Sequence, residues 1–203
     1  MNQLLLRAVL LTILTTCVAA AAASAEAAGY RGLSEWMQSH IDARRLVGCS
    51  AQVTRDGETV FLEAFGKRSP AAAETLGVDQ VVRIYSMSKP ITSAAVMQLV
   101  EQGALDLDDP VSMYIPEFAA MTVGVGEDAY PARRPITIRD LLTHTSGLTY
   151  GFSAPEHLKA AYQAVFKPGT TLAEAAAGMG SLPLLQDVGT GFVYGVNTEV
   201  LGR

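Results

Sequence analysis

The chain has 203 residues, a formal net charge of −5 and 49% hydrophobic residues. Because it is mildly acidic and has no run of basic residues, it lacks the positive field that attracts nucleic acids, and we expect no nucleic-acid partner. Its three histidines, His40, His144 and His157, do not have the spacing of metal ligands. We therefore expect neither a metal nor another cofactor.

The first 25 residues have the pattern of a secretory signal peptide. Arg7 precedes an apolar stretch from Ala8 to Ala23, and Ala23-Ser24-Ala25 supplies small residues for cleavage. We expect a mature protein that begins at Glu26, is periplasmic or secreted, and has no stable membrane insertion. A retained anchor is a weaker alternative, because the strongly apolar part is short and rich in alanine. A lipoprotein site at Cys17 ranks third, since the residue before it is larger than usual.

Periodic patterns predict the elements of the first half of the chain. A helical stripe covers about residues 33–45. Two β-rich runs flank Asp56-Gly57, a dipeptide typical of tight turns, and predict a hairpin over about residues 47–66. A long apolar pattern then predicts a helix over about residues 86–102. Because this helix is apolar nearly all round, we expect it to be buried.

Capping motifs predict that the region from about residue 109 to 190 is mainly helical. Three Thr or Ser residues are each followed three positions later by an acidic residue, the pattern of a capping box. They are Thr137 with Asp140, Ser153 with Glu156, and Thr171 with Glu174. Each pair predicts the start of a helix.

Ser86-Met87-Ser88-Lys89 stands at the start of the apolar helix. The spacing of three places the Ser86 hydroxyl and the Lys89 amine on one helix face. An amine can remove a serine proton if its pKa falls, and a helix N-terminus favours a developing oxyanion. The four residues alone are a weak signal, because a helix cap followed by a solvated lysine gives the same pattern. The neighbouring segments must decide between the two.

Three segments resemble the serine β-lactamase-related family, which includes class C β-lactamases, D-alanyl-D-alanine carboxypeptidases and family VIII carboxylesterases. The first, Val81-Val82-Arg83-Ile84-Tyr85-Ser86-Met87-Ser88-Lys89-Pro90-Ile91-Thr92-Ser93, resembles the family's nucleophile segment. Stretches within residues 105–118 and 135–148 follow in the expected order, and the resemblance covers about residues 30–203. It implies an α+β fold of the β-lactamase/transpeptidase type, with helices on an antiparallel sheet, an all-helical region, and the active site between them.

The resemblance also implies roles for three residues. Ser86 matches the acylated nucleophile, Lys89 the amine that activates it, and Tyr194 the phenol that shuttles protons with Lys89. The family's second motif is Tyr-x-Asn or a looser Tyr-Ser-x, and Tyr194-Gly195-Val196 fits the looser form because Val200-Leu201-Gly202 follows at the expected spacing. Val196 in place of asparagine leaves no amide there to bind a lactam side chain, which favours ester substrates.

The resulting hypothesis is a serine hydrolase that forms an acyl-enzyme on Ser86 and hydrolyses small esters. Its partner would be a small ester or amide substrate. A β-lactamase or D-alanyl-D-alanine carboxypeptidase is the alternative among enzymes. A non-catalytic remnant or binding protein is the alternative from another class.

Other residues near these motifs carry weaker expectations. The resemblance implies that His144 belongs to a structural turn. Tyr150 and Phe152 follow this turn and either line a pocket or pack in the core or on the surface. It also implies a third motif, Lys- or His-x-Gly, in a C-terminal half that follows in family members. We therefore expect residues 26–203 to be a partial domain that is inactive on its own.

Overall fold

The computed structural model describes residues 29–203, so the signal peptide predicted for residues 1–25 lies outside the described residues. The chain divides between Arg83 and Ile84 into two compact units. Within residues 29–203, none of the helices is long and apolar enough to cross a membrane.

The first unit is a helix packed on a β-hairpin. Helix α1 spans Arg31–Asp42, and strands β1 (Gly48–Arg55) and β2 (Glu58–Gly66) pair antiparallel. The chain reverses at Asp56-Gly57, whose φ angles of +49° and +84° are those that a two-residue hairpin turn requires. The sequence placed the hairpin over about residues 47–66, and the observed strands span residues 48–66.

The second unit is mainly helical and begins with the 3₁₀ turn Tyr85–Met87. Its helices are α2 (Ser88–Glu101), α3 (Ile138–Leu142), α4 (Glu156–Val165), α5 (Leu172–Met179) and α6 (Asn197–Leu201). Three more 3₁₀ turns span Val111–Met113, Pro116–Ala120 and Gly126–Asp128. Strands β3 (Thr122–Val123) and β4 (Tyr130–Pro131) form a small antiparallel sheet that the sequence did not predict.

Helix α2 differs from its prediction in two respects. The α-helix begins at Ser88, because Ser86 lies in the preceding 3₁₀ turn. Of its side chains, Val96 is buried, whereas Ile91 and Leu99 are 64% and 43% exposed. The expectation of a helix buried nearly all round is therefore wrong for the described residues.

Two of the three predicted capping boxes form. Thr137 and Asp140 cap α3, and Thr171 and Glu174 cap α5, each with both reciprocal hydrogen bonds. The box predicted at Ser153 is wrong, because α4 begins at Glu156 behind Pro155 and has no side-chain cap. The Ser153 N–H instead donates to the Tyr150 carbonyl in the turn before α4.

The core of the second unit fixes the two segments that carry the candidate site. Leu148, the last residue of the 135–148 stretch, and Val196, two residues after Tyr194, are fully buried. Their neighbours in this core include Val111, Phe118, Ile136, Leu141, Tyr162, Met179 and Leu184. The segments around residues 144–150 and 193–197 are therefore anchored by apolar burial, which holds the polar side chains beside them in place.

Candidate active site

The side chains of Ser86 and Tyr194 meet although 108 residues separate them. The Tyr194 hydroxyl donates a hydrogen bond to Ser86 Oγ at 2.8 Å. Tyr85, directly before the serine, has a φ of +45°, a conformation that bulky residues rarely adopt. Backbone strain of this kind concentrates at functional sites, where the surrounding structure maintains it.

Lys89 lies beside this pair, but its hydrogen bond goes to a different tyrosine. Its Nζ donates to Tyr150 Oη at 2.8 Å and lies 5.3 Å from the ring centroid of Tyr194. Ser86, Lys89 and Tyr194 line one cavity of about 600 Å³, together with Tyr150 and Glu199. The structure thus brings the three residues predicted from the sequence together and adds two others.

The surroundings of Lys89 favour its charged form. Burial lowers the pKa of Lys89, but the hydrogen bond to Tyr150 and the charge of Glu199 outweigh burial and raise this pKa above its usual value of 10.5. Lys89 is therefore an ammonium at neutral pH. A lysine that acts as a base needs a lowered pKa, and this arrangement does not lower the pKa of Lys89.

Tyr150 and Glu199 complete the polar cluster. The Tyr150 hydroxyl donates to Glu199 Oε1 at 2.8 Å, and the same oxygen lies 4.0 Å from Lys89 Nζ. Burial raises the pKa of Tyr150; the hydrogen bond to Glu199 also raises it, and that to Lys89 lowers it. Sequence reasoning offered Tyr150 only as a pocket-lining or packing residue, and it missed Glu199. The position of Glu199 in α6, between the buried residues Thr198 and Val200, is visible only in the structure.

A buried hydrogen-bond network fixes the segment that follows Tyr194. The Asn197 amide bonds to His144 Nδ1 at 2.8 Å and accepts a hydrogen bond from the Ser146 hydroxyl. Ser146 Oγ in turn accepts from the Leu148 N–H at 3.1 Å. Burial lowers the pKa of His144, and the Lys89 charge lowers it further, so the ring is neutral and its Nδ1 accepts from the amide. The His144 ring lies 4.9 Å from that of Tyr194 and limits the positions the phenol can take.

Gly195 allows the two tyrosine segments to approach each other. A Cβ at this position would lie 2.5 Å from Thr149 Cα and still closer to the Leu148 carbonyl oxygen. Only glycine fits there without a backbone shift. The close approach leaves the ring centroids of Tyr150 and Tyr194 5.7 Å apart.

The profile of the beta-lactamase family matches residues 33–202. The chain belongs to the beta-lactamase family. Protein Rv1367c of Mycobacterium tuberculosis is 38% identical over 167 residues, which cover 79% of this chain and 41% of that protein. Esterase EstB of Burkholderia gladioli is 34% identical over 163 residues, covering 78% of this chain and 40% of the esterase. The chain spans about two fifths of the length of these relatives.

A solved structure supports the same assignment at the level of the fold. One such structure is that of EstCE1, described as a hydrolase with promiscuous acyltransferase activity. It superposes on this chain with a TM-score of 0.75 at 30% sequence identity, and the aligned part covers 89% of this chain and 46% of EstCE1. The predicted family and the α+β fold are confirmed. These relatives include an esterase and a hydrolase with promiscuous acyltransferase activity.

Proposed function

We propose that this protein is a serine carboxylesterase that forms an acyl-enzyme on Ser86. The proposal rests on one contact above all, the 2.8 Å hydrogen bond between Tyr194 Oη and Ser86 Oγ. A nucleophile needs a base within hydrogen-bond reach, and this phenol is within reach. The ammonium of Lys89 lies on the same cavity wall.

The proposed reaction uses the phenolate form of Tyr194, whose negative charge the nearby Lys89 ammonium stabilises. Ser86 Oγ then bonds to the ester carbonyl carbon while its proton passes to the phenolate, and the carbonyl π electrons move to oxygen. As the carbon–oxygen bond to the alcohol breaks, Tyr194 returns the proton to the leaving alkoxide. The Tyr194 phenolate then takes a proton from a water molecule as the water oxygen bonds to the acyl carbon. The bond between that carbon and Ser86 Oγ breaks, Tyr194 returns the proton to Ser86 Oγ, and the acid is released.

The cavity walls support small esters with apolar groups as substrates. Tyr85, Tyr150, Phe152 and Tyr194 all line the cavity. The rings of Tyr150 and Phe152 are stacked, with their centroids 5.0 Å apart. Aromatic walls of this kind bind apolar acyl or alcohol groups.

The position of Asn197 further supports ester over β-lactam substrates. Val196 occupies the place of the family's asparagine, and Asn197 beside it could in principle substitute. Its side chain is fully buried, however, and both amide atoms are engaged with Ser146 and His144. An amide held in this way does not reach a ligand in the cavity.

Labelling with a fluorophosphonate probe tests the proposal. In a complete version of the protein, we expect the probe to attach to the peptide that contains Ser86, and Ser86→Ala to abolish both labelling and hydrolysis of p-nitrophenyl esters. Tyr194→Phe should lower the acylation rate by about two orders of magnitude, which is the usual contribution of a general acid or base to a reaction rate. The control Ser93→Ala alters a hydroxyl of the same helix away from the cavity and should label normally. Undiminished ester hydrolysis by Ser86→Ala would refute the assignment, and nitrocefin turnover faster than ester turnover would favour a β-lactamase.

We also propose that the protein is exported, on the basis of the signal-peptide pattern of residues 1–25. N-terminal sequencing of protein from the periplasm or culture medium should then find Glu26 as the first residue. Recovery of Met1 or of a lipid-modified Cys17 would contradict this.

A further inference from the structure

A short chain of hydrogen bonds leads from Lys89 away from the nucleophile. Lys89 Nζ donates to Tyr150 Oη, and Tyr150 Oη donates to Glu199 Oε1, each at 2.8 Å. Because the Tyr150 proton points at the carboxylate, a lone pair of its oxygen is left to face the ammonium. The orientation of Tyr150 toward Lys89 therefore depends on Glu199.

We infer that Glu199 is a positioning residue for the proposed hydrolysis: it holds the Tyr150 hydroxyl, which in turn holds the Lys89 ammonium beside Tyr194 and Ser86. The inference rests on the proposed function and assigns a role to a residue that the sequence motifs leave out.

The burial of the cluster strengthens the influence of the carboxylate on Lys89. The side chains of Lys89 and Glu199 are 17% and 28% exposed, so water screens their charges only in part. Glu199 Oε2 is buried and has no hydrogen-bond partner among the described residues, which leaves the Tyr150 hydroxyl and the Lys89 charge as the contacts that hold this carboxylate. The other titratable groups that face Lys89 are Tyr194 and His144, and the His144 ring is neutral.

The two possible forms of Lys89 predict opposite effects of removing the Glu199 charge. If Lys89 acts as an ammonium that Glu199 holds in place through Tyr150, Glu199→Gln lets the ammonium move away from Tyr194. Labelling of Ser86 at pH 7 should then slow by roughly tenfold, and the basic limb of its pH profile should move to lower pH. If Lys89 acts instead as a neutral amine, the same change makes the amine easier to deprotonate and labelling should become faster.

The experiment compares Glu199→Gln, Glu199→Asp and the control Glu156→Gln in the exported protein. Glu156 is an exposed carboxylate on α4 and should change neither measurement. The first measurement is the fluorophosphonate labelling rate of Ser86 against pH. The second is the titration of the Lys89 ammonium, followed by NMR of its side-chain nitrogen.

We expect Glu199→Gln to lower the midpoint of the Lys89 titration and to slow labelling, and Glu199→Asp to restore both in part because it keeps the charge. Faster labelling in Glu199→Gln, or an unchanged Lys89 midpoint, overturns the inference. Absence of Ser86 labelling in the unmodified protein overturns the proposed function instead, and the NMR titration still decides whether Glu199 controls Lys89.

Discussion

Gly195 stands where the backbone of the Tyr194 segment touches that of the Tyr150 segment, and a side chain there has no room. We predict that Gly195→Ala forces the 194–196 segment outward and breaks the hydrogen bond between Tyr194 and Ser86. Labelling of Ser86 should fall by roughly tenfold or more, and overpacking should lower the free energy of unfolding by about 1–3 kcal/mol. Labelling rates and urea denaturation measure the two effects.

The control for this prediction is Gly32→Ala in α1, where a Cβ meets no atom within 4 Å. Alanine has the higher helix propensity, so this variant should be as stable as the parent or slightly more so. Unchanged labelling in Gly195→Ala would show that the close approach does not position Tyr194.

At the residue scale, the sequence supplied Ser86, Lys89 and Tyr194 because their motifs are local. The contact of Tyr150 with Glu199 joins residues 49 positions apart and depends on how two loops pack. No spacing along the chain encodes it. The upward shift in the pKa of Lys89 depends on these two side chains, so the sequence alone could not predict it.

At the scale of the elements, the short helix α3 depends on a buried carboxylate. Asp140 is 4% exposed and accepts two hydrogen bonds from Arg134, at 2.6 and 2.9 Å, and one each from the hydroxyls of Thr137 and Thr145. Burial raises the pKa of Asp140, but these donors outweigh burial and lower the pKa to about 2. The carboxylate ties α3 to the turn that carries His144 and Ser146.

We predict that Asp140→Asn destabilises the protein by about 2 kcal/mol at pH 7. This is the free energy that corresponds to lowering the Asp140 pKa from its ordinary value in the unfolded chain to about 2 in the folded protein. Because the folded-state pKa is depressed, this stability is present above pH 4 and is lost as the pH falls towards 2. Urea denaturation of the parent and the variant at pH 7, 4 and 2.5 should therefore give curves that converge in acid. A difference that stays constant with pH would rule out the charge as its source.

Glu174 in the capping box of α5 provides the matched control. It makes the same reciprocal bonds with Thr171 but is solvent-exposed and has no arginine partner among its recorded contacts. Glu174→Gln should therefore cost clearly less stability than Asp140→Asn. A loss as large as that of Asp140→Asn would show that the box itself, and not the buried ion pair, stabilises α3.

The elements that the sequence predicted well are those with local signals. Asp56-Gly57 specifies a turn through its φ preferences, and the boxes at Thr137 and Thr171 specify helix starts through side-chain bonds. Ser153 carries the same pattern without the cap, because Pro155 fixes the chain just before α4. Strands β3 and β4 have two residues each and form only by pairing with each other, so no periodic pattern in the sequence predicts them.

At the scale of the whole molecule, α2 combines a buried side with an uncovered apolar one. Val96 faces the core, whereas Ile91, Ala94, Ala95 and Leu99, which recur at helical spacing, are exposed. The sequence predicted an apolar helix correctly but not which part of its surface is covered. Periodicity records how apolar a face is, and it does not record what lies against it.

An exposed apolar face of this kind binds hydrophobic dyes and other apolar surfaces. We therefore predict that the 203-residue polypeptide, expressed without further sequence, binds 8-anilinonaphthalene-1-sulfonate and self-associates as its concentration rises. The double variant Ile91→Gln with Leu99→Gln should reduce both dye fluorescence and self-association, because it makes the exposed face polar. Val96→Gln, which places an amide in the core, should instead lower the melting temperature. Fluorescence titration, analytical ultracentrifugation and thermal unfolding measure these outcomes, and a monomeric polypeptide that binds no dye would contradict the prediction.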